Sequence, residues 1–171
     1  MKLIIALAVV IASFASPIHS QDTRTKLSGK QVDLTLKDLS GVEQSLAALK
    51  GRIVVLNFWA TYCVPCRKEM PDLAAIQNEF GALSVQVIGV NTDDPESQNK
   101  VVPFVKEMKI NFPIWLAGST DHMKRFGLGE ALPGTVVIGR DGRIKKVKSG
   151  VVDQSALRKQ IEAQLAVPVA P

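Results

Sequence analysis

Ile53-Val54-Val55-Leu56-Asn57-Phe58-Trp59-Ala60-Thr61-Tyr62-Cys63-Val64-Pro65-Cys66 is the stretch on which the reading of this chain turns. Its first seven residues form an almost unbroken apolar run of β-branched and aromatic side chains, the pattern of a strand buried on both faces. Ala60-Thr61-Tyr62 then makes a short turn. Beyond the cysteines, Met70, Leu73, Ile76 and Phe80 recur at steps of three and four residues, and Gly81 stands where a helix would stop. The cysteines therefore fall at a strand-to-helix junction, on the first turn of the helix.

That placement carries chemistry. Residues at i and i+3 share a helix face, so Cys63 and Cys66 can close a small disulfide ring. Cys63 sits at the helix N-terminus, where unpaired N–H groups and the dipole favour a thiolate. Thiols in such motifs ionise at roughly pH 3.5–7.5. Cys63 is thus the expected attacking thiol and Cys66, one turn in and less exposed, the resolving thiol. Pro65 is pre-set for helical φ, and the N–H it lacks has no partner in a first turn. The competing reading of a Cys-X-X-Cys, half of a zinc site, needs two more ligands. These are the chain's only cysteines, and His122 is its only histidine after residue 19, so the ligand count favours redox chemistry and no metal is expected.

The rest of the chain is read outward from this junction. A length of 171 residues suits one domain with a sizeable core. Met1-Lys2 followed by apolar Leu3 to Ala15 reads as a signal peptide over residues 1–20. The run is shorter than the about 20 residues a bilayer span requires, and Ser20 offers a small residue before the cut. Ser13 and Ala15 offer a second small pair, and an uncleaved anchor is the alternative. No cysteine follows the leader, which excludes lipid attachment there. Export implies an oxidising compartment, where cysteines usually staple a fold; here both belong to one motif, so the core alone must hold the chain. The net charge is +5, with Lys145, Lys146 and Lys148 the densest cluster. Such scattered lysines suit a solvated strand face better than a nucleic-acid site.

In order, residues 21–30 are polar, and Val32, Leu34 and Leu36 alternate with polar residues as in a half-buried strand. Ser40-Gly41 marks a turn, and Ser45 to Lys50 a short capped helical turn ending at Gly51. Together these make a small hairpin ahead of the main sheet. Pro71 should kink the cysteine helix. Val85, Val87, Ile88 and Val90 form a second buried strand; with the first and the helix between them they make a parallel βαβ unit. A polar loop, Asn91 to Asp94, follows. Val101, Val105 and Met108 give the stripe of a helix that Pro103 starts near Val102. Phe112 to Leu116 reads as a short strand, and Thr120 to Phe126 as a brief helix. Thr135–Ile138 and Ile144–Val152 form a hairpin around Arg140-Asp141-Gly142. Asp153 caps a last helix with the stripe Leu157, Ile161 and Leu165. Residues 167–171 form a Pro/Ala-rich tail expected to be disordered. The element order is that of one α/β domain with a central mixed sheet, over about residues 30–166.

The stretch from Asn57 to Cys66, continued by Arg67-Lys68-Glu69-Met70-Pro71, resembles the active-site region of the TlpA/ResA-like extracytoplasmic thioredoxins, which are bacterial thiol–disulfide oxidoreductases. The resemblance implies a thioredoxin fold, a central mixed sheet flanked by helices, with an N-terminal hairpin extension and an inserted helix–strand near residues 95–116. It implies reduction of protein disulfides in the periplasm or another extracytoplasmic space, with no cofactor beyond the dithiol. A membrane electron donor would recharge the protein, and a monomer is expected. Apocytochrome c, a copper-site protein or a general thiol pool are substrates consistent with it.

Three further positions take their meaning from the resemblance. Leu132-Pro133 on its own reads as the start of a strand; the family carries a cis-proline in the loop facing the cysteines, which makes Leu132 and Pro133 substrate-binding candidates. Glu69 alone reads as a solvated carboxylate or a partner of Arg67 or Lys68; the family places a glutamate there beside the active site, where it influences thiol ionisation. Asn57 stands where ordinary thioredoxins keep a buried aspartate, which leaves Glu69 as the proton-transfer candidate. Tyr62 replaces the usual tryptophan of the rim, and Trp59 is assigned to the core. A peroxiredoxin would need threonine three residues and proline seven residues before its cysteine; Ala60 and Leu56 stand there, so peroxidase activity is rejected. An oxidant or isomerase of the same fold is the alternative enzyme. His122-Met123 beside two cysteines suggests a copper metallochaperone as the non-enzyme alternative, although such chaperones space their cysteines one residue wider.

Overall fold

The computed structural model describes residues 28–168. The leader over residues 1–20 and the last residues of the tail, 169–171, lie outside the described residues. No described helix is long and apolar enough to cross a membrane.

Eleven elements follow one another as β1 (Thr35–Lys37), β2 (Glu43–Ser45), β3 (Ile53–Trp59), α1 (Val64–Phe80), β4 (Val85–Asn91), α2 (Val101–Glu107), β5 (Ile114–Trp115), α3 (Thr120–Arg125), β6 (Gly134–Ile138), β7 (Ile144–Ser149) and α4 (Gln154–Leu165). Five strands form one sheet in the order β5-β4-β3-β6-β7. β3 is its central strand, parallel to β4 and antiparallel to β6, and every one of its residues is buried. This is the thioredoxin-fold α/β arrangement, a mixed sheet flanked by helices.

Because strand side chains alternate between faces, β3 feeds two cores. Ile53, Val55 and Trp59 pack with Met70, Leu73, Ile76 and Phe80 of α1, Phe104 of α2, and Leu157 and Ile161 of α4. Val54, Leu56 and Phe58 face Leu34, Leu46, Met123 and Phe126 instead. The second face is covered by the N-terminal segment and α3. The β1–β2 hairpin is a separate ribbon, tied by bridges from Gln31 to Arg143 and from Asp38 to Trp115.

The inserted segment follows β4. A 3-10 turn over Pro95–Lys100 leads into α2, so Pro103 falls in that helix's first turn, where no N–H is needed. α2 presents Phe104, which stacks on Trp59 with ring centroids 4.9 Å apart. Gly89 on β4 leaves room for that indole: a Cβ there would lie 2.9 Å from Trp59 Nε1. Trp59 is fully buried, as assigned.

Two sequence expectations need adjusting. Gly81 ends α1 but stays right-handed and continues into a 3-10 turn; the left-handed residue is Ser84, with φ 64°. The last hairpin strand stops at Ser149 rather than Val152, because Gly150 turns at φ 77° and sends Val152 into the core. α1 runs unbroken through Pro71.

Phe104 anchors the insert on the cysteine-bearing face, with 4% of its surface exposed. Phe104→Ala is expected to lower the unfolding free energy by about 3–5 kcal/mol, the usual cost of emptying a buried aromatic site. Urea denaturation measures it; a loss under about 1 kcal/mol, typical of surface changes, would contradict the packing role.

Candidate active site

The turn between β3 and α1 places the cysteines. Cys63 is the N-cap of α1, in extended conformation, and Pro65 sits in the first turn. Cys63 and Cys66 are joined in a disulfide with Cα atoms 5.3 Å apart. Cys66 N–H donates to Cys63 Sγ at 3.2 Å, so the first sulfur already occupies the position where helix N–H groups favour negative charge. The two differ in access: Cys63 is 7% exposed and Cys66 is sealed at 0%. Tyr62 and Val64 flank Cys63 and are exposed by 71% and 61%, giving the site an apolar rim.

Glu69 is buried, at 1% exposure. The expectation of a solvated carboxylate, drawn from residue type alone, is therefore corrected, and so is its pairing with Arg67 or Lys68. Position 69 lies three residues past Cys66, on the face that α1 turns to the sheet. Its Oε1 accepts from Asn57 Nδ2 at 2.7 Å, and its Oε2 accepts from the Val152 backbone N–H at 3.0 Å. Asn57 Nδ2 also donates to Thr135 Oγ1 at 3.0 Å, while Asn57 Oδ1 is buried with no partner among the described residues. Burial pushes the Glu69 carboxyl above the ordinary glutamate range, against the hydrogen bonds from Val152 and Asn57; Asp72 adds a small push upward.

Arg67 reaches across to α2. Its guanidinium lies 4.9 Å over the Phe104 ring and its Nη2 pairs with Glu107 Oε1 at 3.2 Å. The Leu132–Pro133 bond is cis, as the family resemblance implied. Pro133 is buried and its carbonyl accepts from Gly150 N–H at 2.8 Å, while half-buried Leu132 packs against both cores. Among the described residues, neither the N–H nor the C=O of Leu132 has a hydrogen-bond partner.

The residues of the copper alternative do not converge. Met123 is buried in the core on the opposite face of the sheet from Cys63 and Cys66. His122 Nδ1 lies 3.1 Å from Ser119 Oγ, at the start of the same short helix.

Sequence reasoning missed four residues. Thr135 on β6 and Val152 after β7 complete the Glu69 network, and Asn91 and Asp93 hold the turn before Cys63. Asp93 accepts from Thr61 N–H at 3.0 Å, and Asn91 Nδ2 donates to Asp93 Oδ2 at 2.7 Å. One signal pointed to the second pair: in open α/β sheets, sites form at the carboxyl ends of strands, and Asn91 ends β4 with Thr92-Asp93 just after it, beside the end of β3.

Comparison with known proteins agrees with this geometry. Residues 28–147 match the AhpC/TSA family. The chain is similar to the thiol-disulfide oxidoreductase ResA of Halalkalibacterium halodurans, 31% identical across 95% of this chain and 92% of that one. It is 34% identical to ResA of Bacillus subtilis, over 73% of this chain and 68% of that one. Among solved structures, it resembles StoA of Bacillus subtilis, with 27% identity, a TM-score of 0.63 and coverage of 77% and 98% of the two chains. It also resembles a Chlorobium tepidum structure described as a thiol:disulfide interchange protein, DsbE, with 27% identity, a TM-score of 0.74 and coverage of 81% and 98%.

Burial of Glu69 has a measurable consequence. The folded state favours its neutral form, so the stability this gives is fully present below the ordinary value of 4.5 and is lost as pH rises through the raised folded-state value. The oxidised wild type should therefore lose stability relative to Glu69→Gln as pH rises across that window. Urea unfolding of both proteins from pH 4 to pH 8 tests this. A difference that does not change with pH would mean Glu69 titrates as in the unfolded chain.

Proposed function

The chain belongs to the AhpC/TSA family, among its ResA-like thiol–disulfide oxidoreductases, and from that premise we propose that it works as a reductase of protein disulfides outside the cytoplasm. Disulfide-containing proteins are its substrate class. The observation that carries the mechanism is Cys63 capping α1, with its sulfur at the edge of the surface and on the Cys66 N–H.

The dithiol form acts as follows. The Cys63 thiolate attacks one sulfur of the substrate disulfide, forming a mixed disulfide and releasing the other substrate sulfur as a thiolate that takes up a proton. Cys66 loses its proton and attacks Cys63 Sγ; the second substrate sulfur leaves, and the Cys63–Cys66 disulfide closes. Two electrons pass from the enzyme dithiol to the substrate. Glu69, on the Cys66 face of α1, takes the Cys66 proton and returns it to the leaving thiolate, a role suited to a carboxyl whose pKa is raised. The free N–H and C=O of Leu132, before the cis-proline, pair with an extended substrate segment while the mixed disulfide lasts. Tyr62 and Val64 offer that segment apolar contact.

Two features support the reducing direction. A strong oxidant is one whose reduced form is unusually stable. Here the Glu69 carboxyl, which has no ion pair among the described residues, penalises a neighbouring thiolate whenever it is ionised, and Arg67, the residue after Cys66, is engaged by Phe104 and Glu107. The apolar run Leu3 to Ala15 supports export by a cleaved leader, and a membrane donor of electrons would then restore the dithiol.

The assignment of the two sulfurs is tested by substitution. Cys63→Ser should abolish disulfide reductase activity, whereas Cys66→Ser should accumulate mixed disulfides through Cys63. Alkylation mapping of the reduced wild type that finds Cys66 the faster thiol at neutral pH would reverse the roles.

A further inference from the structure

Asp93 lies in the loop after β4 and is 3% exposed. Its carboxylate forms none of the ion pairs among the described residues. A buried carboxylate without a cation is costly unless hydrogen bonds replace its water, so the source of those bonds shows what it serves. Thr61 N–H donates to both carboxylate oxygens, at 3.2 and 3.0 Å, and Thr61 Oγ1–H donates to Oδ1 at 3.0 Å. Asn91 Nδ2 donates to Oδ2 at 2.7 Å and holds the carboxylate from behind, accepting from Asp93 N–H at 3.2 Å. Between them, Thr92 donates to the Trp59 carbonyl through both its N–H (2.9 Å) and its hydroxyl (3.2 Å). Thr92 and Asp93 thus hold Trp59 and Thr61, just before the cysteines, with Asn91 at the end of β4 bracing Asp93. The hold passes directly to the sulfur's residue, since Cys63 N–H donates to the Ala60 carbonyl at 3.1 Å.

We propose that Asp93 is a positioning residue for the thiol chemistry: its carboxylate fixes the Ala60–Tyr62 turn so that Cys63 Sγ sits on the Cys66 N–H. A neutral loop residue would close the chain there equally well, whereas a carboxylate presents acceptors to Thr61's N–H and hydroxyl together. The proposal rests on Cys63 being the attacking thiol. In the reduced protein, the Cys66 N–H at the helix end stabilises the Cys63 thiolate, and that contact holds only while the turn is fixed.

Position and charge act on Cys63 in opposite senses, so variants separate them. Loosening the turn weakens the N–H contact and raises the pH at which Cys63 ionises; removing a nearby negative charge lowers it. The other charged groups on the elements that meet this turn are Arg67, Lys68, Glu69, Asp72 and Glu79 on α1, Lys106 and Glu107 on α2 and exposed Asp94, and all stay unchanged. Thr61→Val removes the hydroxyl bond and leaves the carboxylate, Thr61→Ser keeps the bond, and Asp93→Asn removes charge and one acceptor.

The experiment is the pH dependence of iodoacetamide alkylation of the reduced full-length protein, with the labelled cysteine identified by mass. Thr61→Val should move the Cys63 midpoint upward by roughly half a pH unit, as expected on losing a bond that orders the charged form's partner, and Asp93→Asn should move it upward by less, because the lost charge offsets part of the shift. Thr61→Ser should match wild type, and the Thr61→Val/Asp93→Asn double variant should move little further than either single. A downward shift in Asp93→Asn with Thr61→Val unmoved would show a charge effect and overturn the proposal. Variants that lose stability while the midpoint stays at the wild-type value would overturn it too, leaving Asp93 purely structural. If Asp93→Asn does not fold, Thr61→Val against Thr61→Ser decides alone. Labelling of Cys66 ahead of Cys63 in the wild type would show failure of the attacking-thiol assignment before any variant is compared.

Discussion

Glu69 carries a carboxyl group that water does not reach, and the cysteine helix is held to the sheet around it. The group is tolerable only because Asn57 of β3 and the Val152 N–H after β7 both donate to it. Asn57 is in turn held by Thr135 of β6. One side chain of α1 thus joins the central strand, its antiparallel neighbour and the loop into α4. Cys66 lies one turn earlier on the same face of α1, so the network holds the helix face that carries its sulfur. The same network bears on the electrostatics of the site, because Glu69, with no ion pair among the described residues, makes negative charge nearby less favourable once it is ionised.

A second set of contacts fixes the other end of the cysteine motif. The loop after β4 grips the end of β3, and the segment it launches brings α2 back over Trp59. Phe104 separates Trp59 from Arg67, and Glu107 pairs with that arginine. Exposed ion pairs contribute only about 0–1 kcal/mol to stability. Their consequence here is directional: they keep the guanidinium of Arg67 occupied at the residue following Cys66. The helix–strand insert thereby shapes the charge around the dithiol as well as adding to the core.

Much of this was legible in the sequence because it is local. The apolar run of β3, the i, i+3 cysteines and the stripe from Met70 to Phe80 are periodic signals, and each fell within one or two residues of its place. Glu69 lay outside the stripe of Met70, Leu73, Ile76 and Phe80, its residue type argued against burial, and only resemblance to a family kept it as a candidate. What settles its burial is distant along the chain. Thr135 lies 78 residues from Asn57, and Val152 lies 83 from Glu69. No periodicity reports such pairs. Asp93 was hidden for a similar reason: its partner Thr61 is 32 residues away, and within its own loop it read as ordinary turn chemistry ahead of Pro95.

The central claim is that this dithiol gives electrons to substrates, and its reduction potential tests that claim most directly. Equilibration of the purified protein with glutathione redox buffers, followed by the Cys63–Cys66 disulfide content at each ratio, yields the value. The account predicts a potential near that of thioredoxin, about −270 mV. A value near that of the periplasmic oxidant DsbA, about −120 mV, would contradict it and make the protein an oxidant built on the same fold.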